Sequence, residues 1–545
     1  MTASRRTFIA TGGSLLLAGV TQAMPTQRRR TSRDAADTVV LRGGTVIDGS
    51  GDEARMADVA VQAGRITAIG PNLGGRFDGE IDVRGLIVAP GFIDIHSHGD
   101  ATLAADPRAE SVIRQGITTI AVGADGSSRA SGAPGDDFHA LQLRLAQLRP
   151  APNVASMIGL GTVRGAVVGN TNRAASPAEV RRMVTMVERA VAQGACGASS
   201  GLEYTPGAFA TLEELVALCT PLARRGLVYA THLRNEDDRL LEAIDEAIAV
   251  ARGAGCALQI SHLKTQGPRN WSRLQPAFDR ITAARDSGLN VAFDRYPYLA
   301  YATTLANLFP VWSRSGGMPA FFRRLRDPAI AARIETEVRA KVELIGGWDN
   351  IQITGVRSVR DRDAAGKRLG TWARDIGKPP HTALLELMQR NDGAVDMAGF
   401  AMSEENLERI LAHPLGMICT DGSAFAIDGP TRRGSPHPRG AGSFPRVLGR
   451  YVRERGVLAL PDAIRRMTAM PADRLRLSDR GRLATGKAAD IVVFDAATIA
   501  DRATFEQPFR YATGITLVMV NGQVTLRDGT RSRTHAGRAL QASPA

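Results

Sequence analysis

From Val39 to Val83 the chain runs in short apolar bursts separated by glycine turns: Val39-Val40-Leu41, Thr45-Val46-Ile47, Val59-Ala60-Val61, Ile66-Thr67-Ala68-Ile69 and Ile81-Asp82-Val83. Bursts this short, rich in β-branched residues and bounded by glycine, read as strands and not as helices. The same grammar returns near the other end, in Ile491-Val492-Val493-Phe494 and Thr516-Leu517-Val518-Met519-Val520. Neither set makes a complete domain by itself. Together they predict one small β-sandwich domain built from both chain ends, with residues 37–88 and 479–530 as its two parts and 531–545 left as a tail.

Between these ends apolar runs of strand length alternate with stretches of helical period, the pattern of an α/β architecture with parallel strands. Eight such runs end at His98, Gly123, Gly161, Ser200, Leu233, Leu263, Arg295 and Asp421. Two intervening helices announce their starts with capping boxes, Ser176-Pro177-Ala178-Glu179 and Thr211-Leu212-Glu213-Glu214. After the first, Val180, Val184, Val187, Ala190 and Val191 recur at helical spacing and give one apolar face. Eight units fit a (β/α)8 TIM barrel over residues 89–478. Period alone does not separate a closed barrel from an open doubly wound sheet. The unit after strand seven is too long for one helix, and about 300–369, with Trp312, Phe321, Phe322 and Trp348, is read as an insertion roofing the strand ends.

Composition adds an address more than a function. The chain has 545 residues, 44% of them apolar, as in globular proteins. A net charge of +13 raises nucleic acid as a partner, yet the arginines are scattered and aromatics are only 5%, so the charge reads as a solvated surface with no nucleic-acid partner. Ser4-Arg5-Arg6-Thr7-Phe8-Ile9, the weakly apolar Ala10 to Val20 and then Ala23 look like a twin-arginine signal peptide over residues 1–23, followed by an arginine-rich linker, 24–36. That predicts a periplasmic or secreted protein that meets the twin-arginine export machinery and has no membrane span in its mature chain. Cys196, Cys219, Cys256 and Cys419 lie in or beside apolar runs without Cys-x-x-Cys spacing, as buried thiols do.

The candidate chemistry gathers at the strand ends. His96 and His98 stand two apart at the end of an apolar run, so on an extended backbone both face one way, where a single divalent ion can hold them. A bare His-x-His pair also occurs in loops that bind nothing. Here His232, His262 and Asp421 each stand where a further short apolar run turns polar, the end of the strand at which such barrels place their chemistry.

Pro90 to His98, His232, His262 and Asp421 together resemble the amidohydrolase superfamily. Gly201-Leu202-Glu203-Tyr204-Thr205-Pro206-Gly207, Ser261-His262-Leu263-Lys264, Asp294-Arg295-Tyr296-Pro297-Tyr298 and Pro436-His437-Pro438-Arg439 resemble, within it, the N-acyl-D-amino-acid deacylase (D-aminoacylase) family. The likeness runs from about Thr38 to Asp528. It implies a distorted barrel with a β-sandwich, a site for one or two Zn2+ or other divalent transition-metal ions, and hydrolysis of small-molecule N-acyl-D-amino acids. Imidazole and carboxylate suit zinc, which brings bound water to a pKa of about 7 and so provides hydroxide at neutral pH. Asp421 is the expected proton shuttle and a further metal contact, because an amine leaves badly unless protonated. Lys264 and Arg439, with Tyr204, are the expected partners of the substrate carboxylate. His437, between two prolines, is expected to position Arg439 and not to bind metal. In Ala124-Asp125-Gly126, Asp125 stands where the family motif often has a cysteine, and it is the expected ligand beside His232 and His262; Asp-Gly is also an ordinary turn pair. Leu160 stands where many members have histidine. Three alternatives remain: a dipeptidase acting on C-terminal D-residues, a cyclic-amide hydrolase of the dihydroorotase or hydantoinase kind, and an exported binding protein without catalysis. Against the second, Gly194 to Tyr204 offers no lysine to bridge two metals.

Overall fold

The computed structural model describes residues 38–543, so the signal and linker segments lie outside the described residues. Parallel strand segments follow one another in chain order: Phe92–Asp94, Ile117–Val122, Asn153–Ser156 with Ile158–Gly159, Gly197–Gly201, Val228–His232, Ala257–Ile260, Val291–Arg295 and Gly416–Ile418. The last returns to the first just beyond the paired residues: Asp421 N–H donates to His96 O (2.9 Å) and His98 N–H to Gly422 O (3.0 Å). Beneath this seam the buried Asp94 carboxylate accepts from Thr420 N–H at 2.9 Å and from its hydroxyl at 2.5 Å, and burial raises its pKa to about 7.

The barrel-like ring is irregular at strand three. Asn153–Ser156 pairs on one side with Ile117–Val122 and on the other with Ala539–Leu540; only Ile158–Gly159 reaches strand four. Residues 531–545, expected as a tail, thus supply a segment of the wall. Helices Pro177–Ala192, Leu212–Ala223, Leu240–Ala254 and Leu274–Asp286 follow their strands and pack side by side. The Ser176 capping box forms in full. At the second helix Thr211 caps Glu214 N–H at 3.2 Å, but the Glu214 side chain turns inward to the buried Arg164 guanidinium at 2.9 Å, because an unpaired buried cation costs more than half a cap. In Pro177–Ala192 the buried face is Met183, Met186, Val187, Ala190 and Val191, with Val180 and Val184 at its margin.

Strands from both chain ends join in one nine-stranded sheet, in which Ile87–Pro90 pairs with Ile491–Phe494 and Val39–Val46 pairs with Arg55–Gln62. Leu41, Val59, Val88, Ile491, Val493 and Leu517 share its apolar core. The insertion after strand seven is longer than expected. Its antiparallel sheet places Val395–Phe400 between Ala300–Thr304 and Ile351–Val356, so it runs to about residue 400 and not 369. Only Glu404–Ala412 is left as the helix before strand eight. Among the described residues no helix is long and apolar enough to cross a membrane.

Candidate metal centre and active site

His96 and His98 lie in the turn immediately beyond Phe92–Asp94, and Asp125 follows Ile117–Val122. His232 closes its strand, while His262 and Asp421 stand just beyond theirs. Asp125, His262 and Asp421 have φ of +50°, +36° and +49°, a region non-glycine residues seldom enter. Strained backbone at three strand ends directs three side chains to one point. Gly126 makes the Asp125 turn possible: a Cβ there would stand 2.7 Å from Gly201 N.

The point of convergence is Asp125 Oδ2. It lies 3.3 Å from His98 Nε2, 3.4 Å from His96 Nε2, 3.5 Å from His262 Nε2 and 3.8 Å from His232 Nδ1. Asp421 Oδ1 stands 3.1 Å from His98 Nε2 and 3.5 Å from His96 Nε2. The structure therefore brings together all six residues expected at the metal. These groups fit a divalent ion: His96 Nε2 and Asp125 Oδ1 are buried without a hydrogen-bond partner, and one donor atom each from His96, Asp125, His262 and Asp421 falls within 4.8 Å of the others. Nitrogen and oxygen donors so spaced suit zinc. Burial pushes the Asp125 carboxyl up, but the imidazoles around it prevail and hold it well below the usual range. For Asp421 burial likewise opposes ionisation, and the Arg439 guanidinium with the histidines overcomes it.

The outward-facing nitrogens of three of these histidines are braced by carboxylates, and His96 Nδ1 lies 3.3 Å from Asp294 Oδ1. His232 Nε2 lies 3.4 Å from Glu203 Oε2, and His262 Nδ1 lies 3.1 Å from Glu236 Oε1. Lys264 Nζ donates to Glu236 Oε1 at 2.6 Å and stands 2.6 Å from His262 Nδ1. Glu236 was not expected from the sequence. It sits in Asn235-Glu236-Asp237-Asp238, which reads as an exposed acidic run, yet it is 2% exposed.

The expected carboxylate partners border the same cluster. Arg439 Nη1 donates to Asp421 Oδ2 at 2.7 Å, and the Tyr204 ring lies 4.7 Å from the His232 ring. His437 stands outside the metal cluster as expected: its Nδ1 accepts from Arg439 N–H at 3.0 Å while Nε2–H donates to Ala300 O at 2.9 Å, tying the Arg439 loop to the insertion. Tyr296 belongs to the Asp294-to-Tyr298 motif, which by itself assigns it no role. Its buried hydroxyl has no hydrogen-bond partner, and the Arg439 guanidinium lies 4.7 Å from its ring centre.

Residues 417–526 match the Amidohydrolase family. An N-acyl-D-glutamate deacylase of Alcaligenes xylosoxydans xylosoxydans is 38% identical over 500 residues, 89% of this chain and 92% of the relative. A D-aminoacylase of the same organism is 36% identical over 519 residues, 92% of this chain and 97% of its own. The chain belongs to the D-aminoacylase family of amidohydrolases. A crystal structure of N-acyl-D-glutamate deacylase from Bordetella bronchiseptica, complexed with zinc and a phosphonate mimic of the tetrahedral intermediate, superposes with a TM-score of 0.80. It is 35% identical and covers 93% of this chain and all of that one. Asp125, the residue at the family motif's expected cysteine position, stands at the centre of the donor cluster. Leu160 is buried in the outer core at the start of helix Leu160–Val167.

Proposed function

We propose that this chain hydrolyses the amide bond of N-acyl-D-amino acids, with a zinc-type ion held by His96, His98, Asp125, His232, His262 and Asp421. The observation that carries the reading is the Asp125 carboxylate oxygen facing four imidazole nitrogens, in a chain whose relatives are deacylases. An ion bound there supplies Lewis acidity, polarising the scissile carbonyl and acidifying water at neutral pH. Asp421 has its Oδ2 engaged by Arg439, which leaves Oδ1 to take the proton from the attacking water and hand it to the departing nitrogen. Arg439 keeps that carboxylate ionised between turnovers. Its remaining donors, with Lys264, Tyr204 and the unpartnered Tyr296 hydroxyl, receive the substrate carboxylate. Fixing the carboxylate and the carbonyl at two separate points leaves the two enantiomers with different positions for the side chain, which is the basis of D-selectivity.

The experiment is a hydrolysis screen of paired N-acyl-D- and N-acyl-L-amino acids, with zinc supplied and with chelator added. D-substrates should turn over only with metal. Equal rates on both enantiomers, or full activity in chelator, overturn the reading. For the address, the twin-arginine motif at Ser4 to Ile9 supports export to the periplasm or beyond. Replacing Arg5 and Arg6 by lysine should leave the protein inside the cell, and undiminished export would refute it.

A further inference from the structure

The insertion after strand seven contributes no side chain to the donor cluster, yet it takes hold of a carboxylate behind one of the histidines. Glu203 is 9% exposed and turns one oxygen, Oε2, to two nitrogens: His232 Nε2 stands 3.4 Å away, and the Asn307 side-chain amide donates from 3.0 Å. Arg314 Nη1 donates in turn to the Asn307 amide oxygen at 3.1 Å, and Arg314 Nη2 to the Glu203 main-chain carbonyl at 3.0 Å. Lys341 Nζ, from helix Pro328–Ile345 of the insertion, lies 4.0 Å from Glu203 Oε1 and 2.7 Å from Asp237 Oδ2. Asn307 and Arg314 belong to the short helical turns Leu305–Leu308 and Val311–Arg314. Leu305, Leu308 and Phe309 are buried there, so both side chains are offered from an anchored backbone.

This chain of contacts has a direction. A guanidinium only donates, so Asn307 turns its oxygen to Arg314 and its NH2 to Glu203; a carboxylate only accepts, so the His232 nitrogen that faces it carries the proton. Glu236 Oε2, 3.8 Å from the same nitrogen, makes the same demand. With the proton on Nε2 the lone pair is on Nδ1, the nitrogen that lies 2.9 Å from His262 Nε2 and 3.8 Å from Asp125 Oδ2. We infer that Asn307 and Arg314 are positioning residues of the metal centre, acting through Glu203 to fix the His232 tautomer that presents Nδ1 to the donor cluster. The inference rests on the metal-dependent deacylase reading and adds to it a part of the chain that supplies no ligand.

The test is zinc affinity, measured by competition with a chelator, in the parent, in Glu203→Gln and in the Glu203→Gln Asn307→Asp double variant. Glu203→Gln alone still faces the Asn307 NH2, so it keeps an oxygen there for His232 and loses only the charge; affinity should fall no more than about tenfold. With Asn307→Asp added, the glutamine turns its NH2 to the new carboxylate and therefore also to His232, which drives the ring proton onto Nδ1. Affinity should then fall about 100-fold below the parent. Charge alone requires the opposite order, because the second substitution restores the negative charge that the first removes, and negative charge attracts a cation. A double variant that binds zinc as tightly as Glu203→Gln, or more tightly, overturns the inference. Thermal melting shows whether each variant is folded. Should the double variant not fold, nitrogen NMR of the histidine-labelled, zinc-loaded parent decides: a His232 proton on Nε2 supports the inference, and one on Nδ1 rejects it. A parent that binds no divalent ion overturns the metal reading and the inference together. A parent that binds zinc but hydrolyses no N-acyl-D-amino acid overturns the deacylase reading alone, and the affinities still judge the role of Asn307 and Arg314.

Discussion

The donor cluster has two halves that are held differently. His232 and His262, from adjacent strands, are both buried, and each turns its far nitrogen to a buried carboxylate, Glu203 or Glu236. His96 and His98 come from one turn; His96 leans on Asp294 at 3.3 Å, while the His98 side chain is 33% exposed. Carboxylates behind ligating imidazoles fix their orientation and raise their basicity. The difference teaches that equal ligand types do not make equal sites. On the proposed reading the buried and braced His232 and His262 would keep an ion, while the turn that carries buried His96 and the more exposed His98 would open one side of it to solvent and substrate, with Asp125 facing all four.

The widest separation between the halves should come from alanine substitutions. His262→Ala should lose the bound ion and lower activity more than about a hundredfold, beyond what loss of a bracing carboxylate costs. His98→Ala should keep an ion in the braced half. Elemental analysis beside turnover decides, and equal metal loss in both variants would break the comparison. Asp421→Asn should retain metal yet lower kcat by about 10²–10⁴-fold, since it removes the proton carrier and leaves the imidazoles in place. Unchanged kcat would assign the proton to another group. Asp125→Ala should empty the site, whereas Asp125→Cys should retain zinc but bind manganese less well, because thiolate is the softer donor; competition between the two ions at equal concentration measures this. The smallest effect is expected of Glu236→Gln, about 10–100-fold weaker metal affinity by chelator titration, with kcat nearly restored at saturating zinc. A variant whose metal affinity matched the parent would show that Glu236 serves Lys264 alone.

What the sequence made legible follows the reach of each interaction. His96 and His98 were readable because the pair follows directly on a short apolar run, although a turn beyond Phe92–Asp94, and not strand alternation, brings them together; His232, His262 and Asp421 were readable because each ends its own apolar run. Asp125 was legible only through family resemblance, since Asp-Gly belongs equally to turns. Glu236 was not legible: its partners His262 and Lys264 arrive from another strand end, and nothing in Asn235 to Asp238 announces burial. The insertion's true end was not legible because Val395–Phe400 takes its partners from Ala300–Thr304 and Ile351–Val356, far upstream. Ala539–Leu540 carries too short a pattern to declare itself a strand.

That last segment has a consequence for how the molecule comes into being. Ala539–Leu540 lines strand three, and Ile491–Phe494 lines Ile87–Pro90, so both the ring and the sheet wait for segments made about 400 residues after the strands they complete. Until those segments are made, the early strands lack these neighbours, the exposure that chaperones exist to cover. A message cut short upstream of residue 539 would leave the edge of Asn153–Ser156 bare, a template for another chain to pair with.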